Sequence, residues 1–192
     1  MRMSSLLLAA LSSLVAAGCG RPDEASGGTW TGSVVGSDAV VGAVGSGDRA
    51  AVYVCGGDSS FATVTRWFQG TREELSTGLV RDGWVVDAAT GGDSLAGHLV
   101  APDGDTFVFS LAAADEGSAA GLYSTVDAGC RTGVVVHGEA PSMQGVWCSD
   151  LGEVAQVTPG FAPDFDGGLA VAVERPEGLL ELLVRPFLPA VP

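Results

Sequence analysis

The chain has no lysine, no asparagine and no isoleucine among its 192 residues. The first absence removes any amine nucleophile, and the second removes any asparagine that would steady an oxyanion. The codons of all three residues are A/T-rich in their first two positions, so their joint loss points to a GC-rich bacterial genome. Cations are scarce: 9 arginines face 23 aspartates and glutamates, a formal net charge of −14. Nucleic acid is therefore excluded as a partner, because phosphate binding needs cationic neutralisation. The same balance disfavours lying flat on anionic lipid and favours solubility. Histidine is limited to His98 and His137, and neither stands in a His-x-His or His-x₃-His spacing. There is no Cys-x₂-Cys pair either, so neither a metal nor a cofactor is expected. Long apolar runs are missing too, apart from one near the start; nothing later reaches the roughly 20 residues of an ordinary membrane span.

That one run lies in "LLLAALSSLVAAGCGRPDE" at residues 6–24. Arg2 supplies a positive start, Leu6 to Ala17 an apolar middle, and Ala16 and Gly18 the small residues of a cleavage site. This is the layout of a secretory signal of residues 1–18. The junction Ala16-Ala17-Gly18-Cys19 resembles the bacterial lipobox, with Ala where Leu is commoner at its first position. The resemblance implies that Cys19 becomes the first residue of the mature protein and is acylated. One acyl chain anchors only marginally, at about 0.8 kcal/mol per buried CH₂, so two or three chains are needed for firm attachment. The resemblance thus implies a lipid-anchored envelope protein whose first partner is the membrane. In a Gram-negative host, Gly20 in place of Asp would favour the outer membrane. Loss of Arg2 takes the mature charge to −15.

Three further cysteines remain, Cys55, Cys130 and Cys148. An exported chain meets oxidising conditions, so one pair is expected and one thiol is left over. Residues 132–137 and 144–149 read as the arms of a hairpin. A turn centred on Glu139 brings Cys130 opposite Cys148, which makes Cys130–Cys148 the expected disulfide and Cys55 a buried free thiol. Cys55–Cys148 is the competing pairing, and a fully reduced chain remains open.

After a polar tether at 19–28, short runs rich in Val, Phe, Trp and Thr recur between turn segments such as "GSGD", "ATGGD" and "PDGD". Such punctuation indicates an all-β fold. An antiparallel meander results, with a closed or partly open barrel favoured over a sandwich. One β domain is expected over 29–150, with 151–192 an extension packed on it. Only "TREELSTG" at 71–78 suggests a helical turn, capped by Thr71. The tail reads as a hairpin turning on Arg175–Gly178, with a short helix over 178–184 as the alternative. "GGTWTG" at 27–32 resembles the Gly-x-Trp opening of lipocalin- and avidin-type barrels, where the Trp closes one barrel end. "AVYVCGGDSSFATVTRWFQG" at 51–70 is similar to small exported proteins of high-GC bacteria, a likeness that implies no site residues.

Catalytic constellations are weakly represented. "GGDSLAG" at 91–97 resembles the Gly-Asp-Ser-Leu signature of an esterase family, which would make Ser94 a nucleophile. That family's asparagine is missing, and neither histidine follows an aspartate by three residues; a nucleophile without an oriented base is inert. "PDGDTF" at 102–107 and "PDFDGG" at 163–168 are incomplete calcium loops, better read as turns. Trp30, Trp67, Trp84 and Phe107 would line a ligand cavity if they faced a hollow centre, and would be ordinary core otherwise. The sequence thus supports a non-catalytic, lipid-anchored envelope protein whose β domain is structural or docks an envelope protein partner. A lipid-anchored, small-ligand-binding barrel is the alternative.

Overall fold

A computed structural model describes residues 27–127, 129–138, 142–159 and 168–189; Cys19 and its tether as far as residue 26, Glu139 and most of 163–168 lie outside them. The described chain is nearly all strand, as the turn-punctuated sequence suggests. Strands β1 (Gly28–Ser33), β2 (Val40–Ser46), β3 (Arg49–Cys55) and β4 (Arg66–Thr71) come first, with a short helix α1 (Phe61–Val64) before β4. Helix α2 (Arg72–Thr77) leads into β5 (Leu79–Arg81), β6 (Trp84–Gly91), β7 (Ser94–Val100) and β8 (Thr106–Ala113). These eight strands form one antiparallel sheet in the order β4-β3-β2-β1-β8-β7-β6-β5. The first strand closes onto the eighth through Trp30↔Ala113 and Thr31↔Ala112. The result is an up-and-down barrel whose only unpaired seam in that order runs between β4 and β5.

Local chemistry explains the turns. Strands β5 and β6 meet at Arg81↔Trp84 around the two-residue loop Asp82-Gly83. Both loop residues have positive φ, 49° and 80°. That geometry matches the twist of a tight hairpin and is the reason Asp-Gly is favoured there. Helix α2 starts in a capping box: the Thr71 N–H donates to Glu74 Oε2 at 2.7 Å and the Glu74 N–H donates to Thr71 Oγ1 at 3.1 Å. Those two bonds occupy backbone donors that a helix start leaves unpaired.

A second barrel follows. Strands β9 (Gly121–Asp127), β10 (Cys130–His137), β11 (Ser142–Cys148), β12 (Val154–Pro159), β13 (Leu169–Arg175) and β14 (Gly178–Pro186) close in the order β10-β11-β12-β13-β14-β9. The C-terminal pair is the hairpin rather than the helix, and its ladder ends at Arg175↔Gly178. The division expected at residue 150 falls inside this barrel, between the neighbouring strands β11 and β12. Residues 154–186 are therefore half of a closed barrel and not an extension, and the chain passes from one sheet to the other at 114–120.

Burial shows why one domain was expected where two barrels stand. Strands β2 and β3 are buried along both faces. Val41, Ala43, Ala50, Val52 and Val54 point into the first barrel with Phe68, Leu99, Phe109 and Leu111. The alternate residues Val40, Val44, Ala51, Tyr53 and Cys55 point outward, against Leu122, Val135, Val146 and Phe187 of the second barrel. A third cluster, including Val134, Val136, Trp147 and Val171, fills the second barrel. A strand covered on both sides has no polar face, so the period-2 signal is erased. Each fully buried Val or Leu stabilises by about 1.5–3 kcal/mol relative to exposure, so the middle layer joins the barrels firmly. It also holds a polar tie: Gln144 Nε2 donates to the carbonyls of Cys55 at 2.7 Å and Asp38 at 3.2 Å.

Cys130 and Cys148 are joined, with Cα atoms 5.6 Å apart, and Cys55 is free and buried. The register differs by one residue from the direct facing of the two cysteines. Strands β10 and β11 pair from His137↔Ser142 to Gly133↔Val146, so an unbroken ladder would set Cys148 against Arg131. The bridge forms beyond the last recorded pair, where Cys130 is paired with Asp127 of β9 instead.

Candidate binding cleft between the two barrels

Trp30, Trp67, Trp84 and Phe107, left between cavity lining and ordinary core by the sequence, surround no common cavity. The first barrel's centre is filled by the apolar side chains named above. Trp30 sits at one mouth, with its ring folded back over Gly28: a Cβ there would lie 2.5 Å from the indole. That close approach is the physical content of the Gly-x-Trp pattern, since residues i and i+2 share a strand face. Together with Ala43, Leu75, Ala88 and Leu95 it lines a pocket of about 200 Å³. Trp84 and Phe107 stack at 6.5 Å and pack on the first core. Trp67 lies on the barrel's outside, between Tyr53 at 4.5 Å and Phe187 at 4.9 Å.

The residues singled out for chemistry are dispersed. Ser94 closes the Gly91–Ser94 turn, its Oγ donating to the Gly91 carbonyl at 2.9 Å. His98 pairs with Asp87 across strands at 3.1 Å, while His137 contacts Ser142 on the other barrel. In "PDGDTF" the Asp105 N–H donates to Asp103 Oδ1, an ordinary turn between β7 and β8. Among the described residues no group of three or more His, Cys, Asp or Glu is placed to hold a metal ion.

A concavity of about 690 Å³ lies where the barrels meet. One wall comes from the first barrel's seam: Arg66 and Trp67 on β4, then Val80, Arg81 and Asp82 at the end of β5. The other comes from the second barrel: Arg131 on β10, Val154 on β12 and the disulfide Cys130–Cys148. Tyr53 and Phe61 close the floor. At the seam β4 and β5 approach closely at Gly70 and Leu79, where a Cβ on Gly70 would lie 2.5 Å from Leu79.

Charge in this cleft runs against the molecule as a whole. Three of the chain's nine arginines line it, against one acid, Asp82. Arg66 stacks on Trp84 with its guanidinium carbon 4.2 Å from the ring centroid. One of its nitrogens donates to the Thr63 carbonyl, while Nε and Nη1 are buried without a partner. Burial pulls its basicity below the ordinary arginine value, with Asp82 opposing, yet a guanidinium stays charged in proteins. Arg131 lies over Trp67 at 5.7 Å and Phe187 at 5.2 Å. Arg81 meets Asp82 at 3.4 Å, with both side chains largely exposed, so that pair is worth little. Two exposed valines stand beside these charges: Val80 is 69% exposed and Val154 45%. Trp67 was among the residues marked in the sequence; Arg66, Arg81 and Arg131 were not. Their scarcity in so acidic a chain was the available signal.

No family model matches the chain, and neither a curated protein nor a solved structure is found to be similar to it.

Proposed function

We propose that this is a non-catalytic binding protein, held at a bacterial envelope by acylation of Cys19, that takes a small amphipathic ligand in the cleft between its barrels. The observation that carries the reading is the cleft itself: about 690 Å³, lined in part by aromatic rings and two exposed valines. Ligand sites are typically clefts of roughly 300–1,000 Å³, and junctions between folded units are among their preferred places. The pocket at the mouth of the first barrel, about 200 Å³, falls below that range. The alternative of a hollow, ligand-filled barrel therefore gives way to a site outside both barrels. Ser94, His98 and His137 lie in separate local contacts, which supports a binding role over hydrolysis.

The test uses the full chain with Cys19→Ser, which cannot be acylated, and the neutral apolar dye N-phenylnaphthylamine. Binding is expected to fall in Val80→Asp and Val154→Asp, whose side chains are exposed enough to leave folding intact, and to persist in Trp30→Ala. Absence of binding, or loss only in Trp30→Ala, overturns the cleft reading and leaves docking of an envelope protein as the better account. The anchor is tested separately: a clickable palmitate analogue should mark the wild type and not Cys19→Ser, and equal labelling refutes it.

A further inference from the structure

We infer that the inter-barrel cleft selects anionic amphiphiles: molecules with a planar or alkyl apolar body and one carboxylate, sulfonate or phosphate group. This rests on the cleft being a binding site, and adds the sign of the charge it accepts. Among the residues that line the cleft, the charged ones are Arg66, Arg81, Arg131 and Asp82; Asp127, which pairs with Cys130, and Asp150, beside Gly129, stand just behind that lining. The three arginines come from strands far apart in sequence, two from the first barrel and one from the second, so the excess of cations in the lining exists only in the folded, joined molecule. A concavity with low-dielectric walls focuses the field of such an excess. In a chain of net charge −14, a lining of three arginines against one aspartate runs counter to the average surface.

The walls supply the second half of the recognition. Phe61 and Trp67, both only partly buried, line the cleft, while Tyr53 and Phe187 back Trp67 from within. A flat apolar body lying against Phe61 and the open edge of Trp67 would place its acidic end toward the guanidinium groups, where charge-assisted hydrogen bonds are the strong ones. Val80 and Val154 cover the part that protrudes. Arg66 acts through its charge, since its Nε and Nη1 are enclosed; Arg81 and Arg131 are the groups within reach of an incoming acid.

The experiment compares two dyes of similar shape on the full Cys19→Ser chain: anilinonaphthalene sulfonate, which is anionic, and neutral N-phenylnaphthylamine. In Arg81→Gln/Arg131→Gln the dissociation constant of the anionic dye should rise at least about tenfold and that of the neutral dye less than about twofold. Asp82→Asn should tighten the anionic dye severalfold. This variant folds readily because asparagine tolerates the positive φ at that position. Raising ionic strength from about 20 mM to about 0.5 M should weaken only the anionic dye. An unchanged urea midpoint for each variant separates charge from folding. If both dyes bind and neither the arginine variant nor Asp82→Asn shifts the anionic one, the charge inference is overturned while the cleft reading stands. If neither dye binds, the cleft reading itself is overturned.

Discussion

Gly133→Ala is the substitution that bears hardest on the joint between the barrels. Gly133 lies on β10 directly beneath the ring of Tyr53 from the other barrel. A Cβ at this position would approach Tyr53 Cζ to 2.5 Å, Cε1 to 2.6 Å and Cε2 to 2.8 Å. The ring can yield only by displacing its neighbours: Tyr53 is 1% exposed and backed by Trp67 at 4.5 Å. Overpacking a tight core costs about 1–3 kcal/mol, and this contact, with three ring atoms inside contact distance, belongs at the upper end. With a urea slope of about 2 kcal/mol per M, the midpoint should fall by roughly 1 M. Gly91→Ala serves as the control, because a Cβ there meets only Ser94 Oγ at 3.8 Å; it should shift the midpoint little. In a Tyr53→Leu background the ring atoms are gone, so Gly133→Ala should cost much less, giving a coupling of at least about 1 kcal/mol. Equal costs in both backgrounds would refute the clash, and a Gly133→Ala midpoint equal to wild type would refute the packed joint.

Three other outcomes rest on the disulfide, on Asp38 and on Cys55. Cys130→Ser/Cys148→Ser should lose about 3 kcal/mol on the chain-entropy view of an 18-residue separation; an unchanged midpoint between reduced and oxidised wild type would contradict the cross-link's role. Asp38 accepts from the Ser59 and Ser60 hydroxyls and the Ser59 N–H, which hold its carboxyl down at about 2 against an ordinary 3.8. A depressed carboxyl contributes stability above its unfolded value, lost as pH falls from about 4 to about 2. Its exposure keeps the contribution small, so Asp38→Asn should lower the urea midpoint slightly at pH 7 and not at pH 2; an equal loss at both would contradict the linkage. Burial pushes the Cys55 thiol up to about 12, so in the Cys19→Ser chain it should resist iodoacetamide at pH 8 until urea unfolds the protein. Rapid alkylation of the folded chain would show the layer to be open.

Most strands, their turns and the C-terminal hairpin were legible because Gly, Asp and Pro occupy fixed places in tight connections. Pro176-Glu177 marks a loop whose flanking residues pair as such a turn requires; Asp82-Gly83 was passed over, because residues 79–89 read as one run where two strands meet. The existence of two barrels was not legible. A strand buried on both faces, such as "RAAVYVC", looks the same whether its second face meets a helix, a sheet or its own barrel. Whether the aromatic residues line a cavity or the core stayed open for a related reason: strand position says which residues share a face, not which side of a closed sheet that face becomes. Trp67 thus went outside while Phe68 went in. The cleft arginines were invisible because Arg66, Arg81 and Arg131 meet only through the closure of one sheet and the docking of another.

The most direct test of the account is a heteronuclear NMR titration of the full Cys19→Ser chain with anilinonaphthalene sulfonate. The cleft reading predicts saturable shifts at the Trp67 indole N–H, Phe61, Val80 and Arg131, with Trp30 and Ala89 at the barrel mouth unmoved. Shifts centred on Trp30 and Ala89, or spread evenly over both barrels, would contradict it.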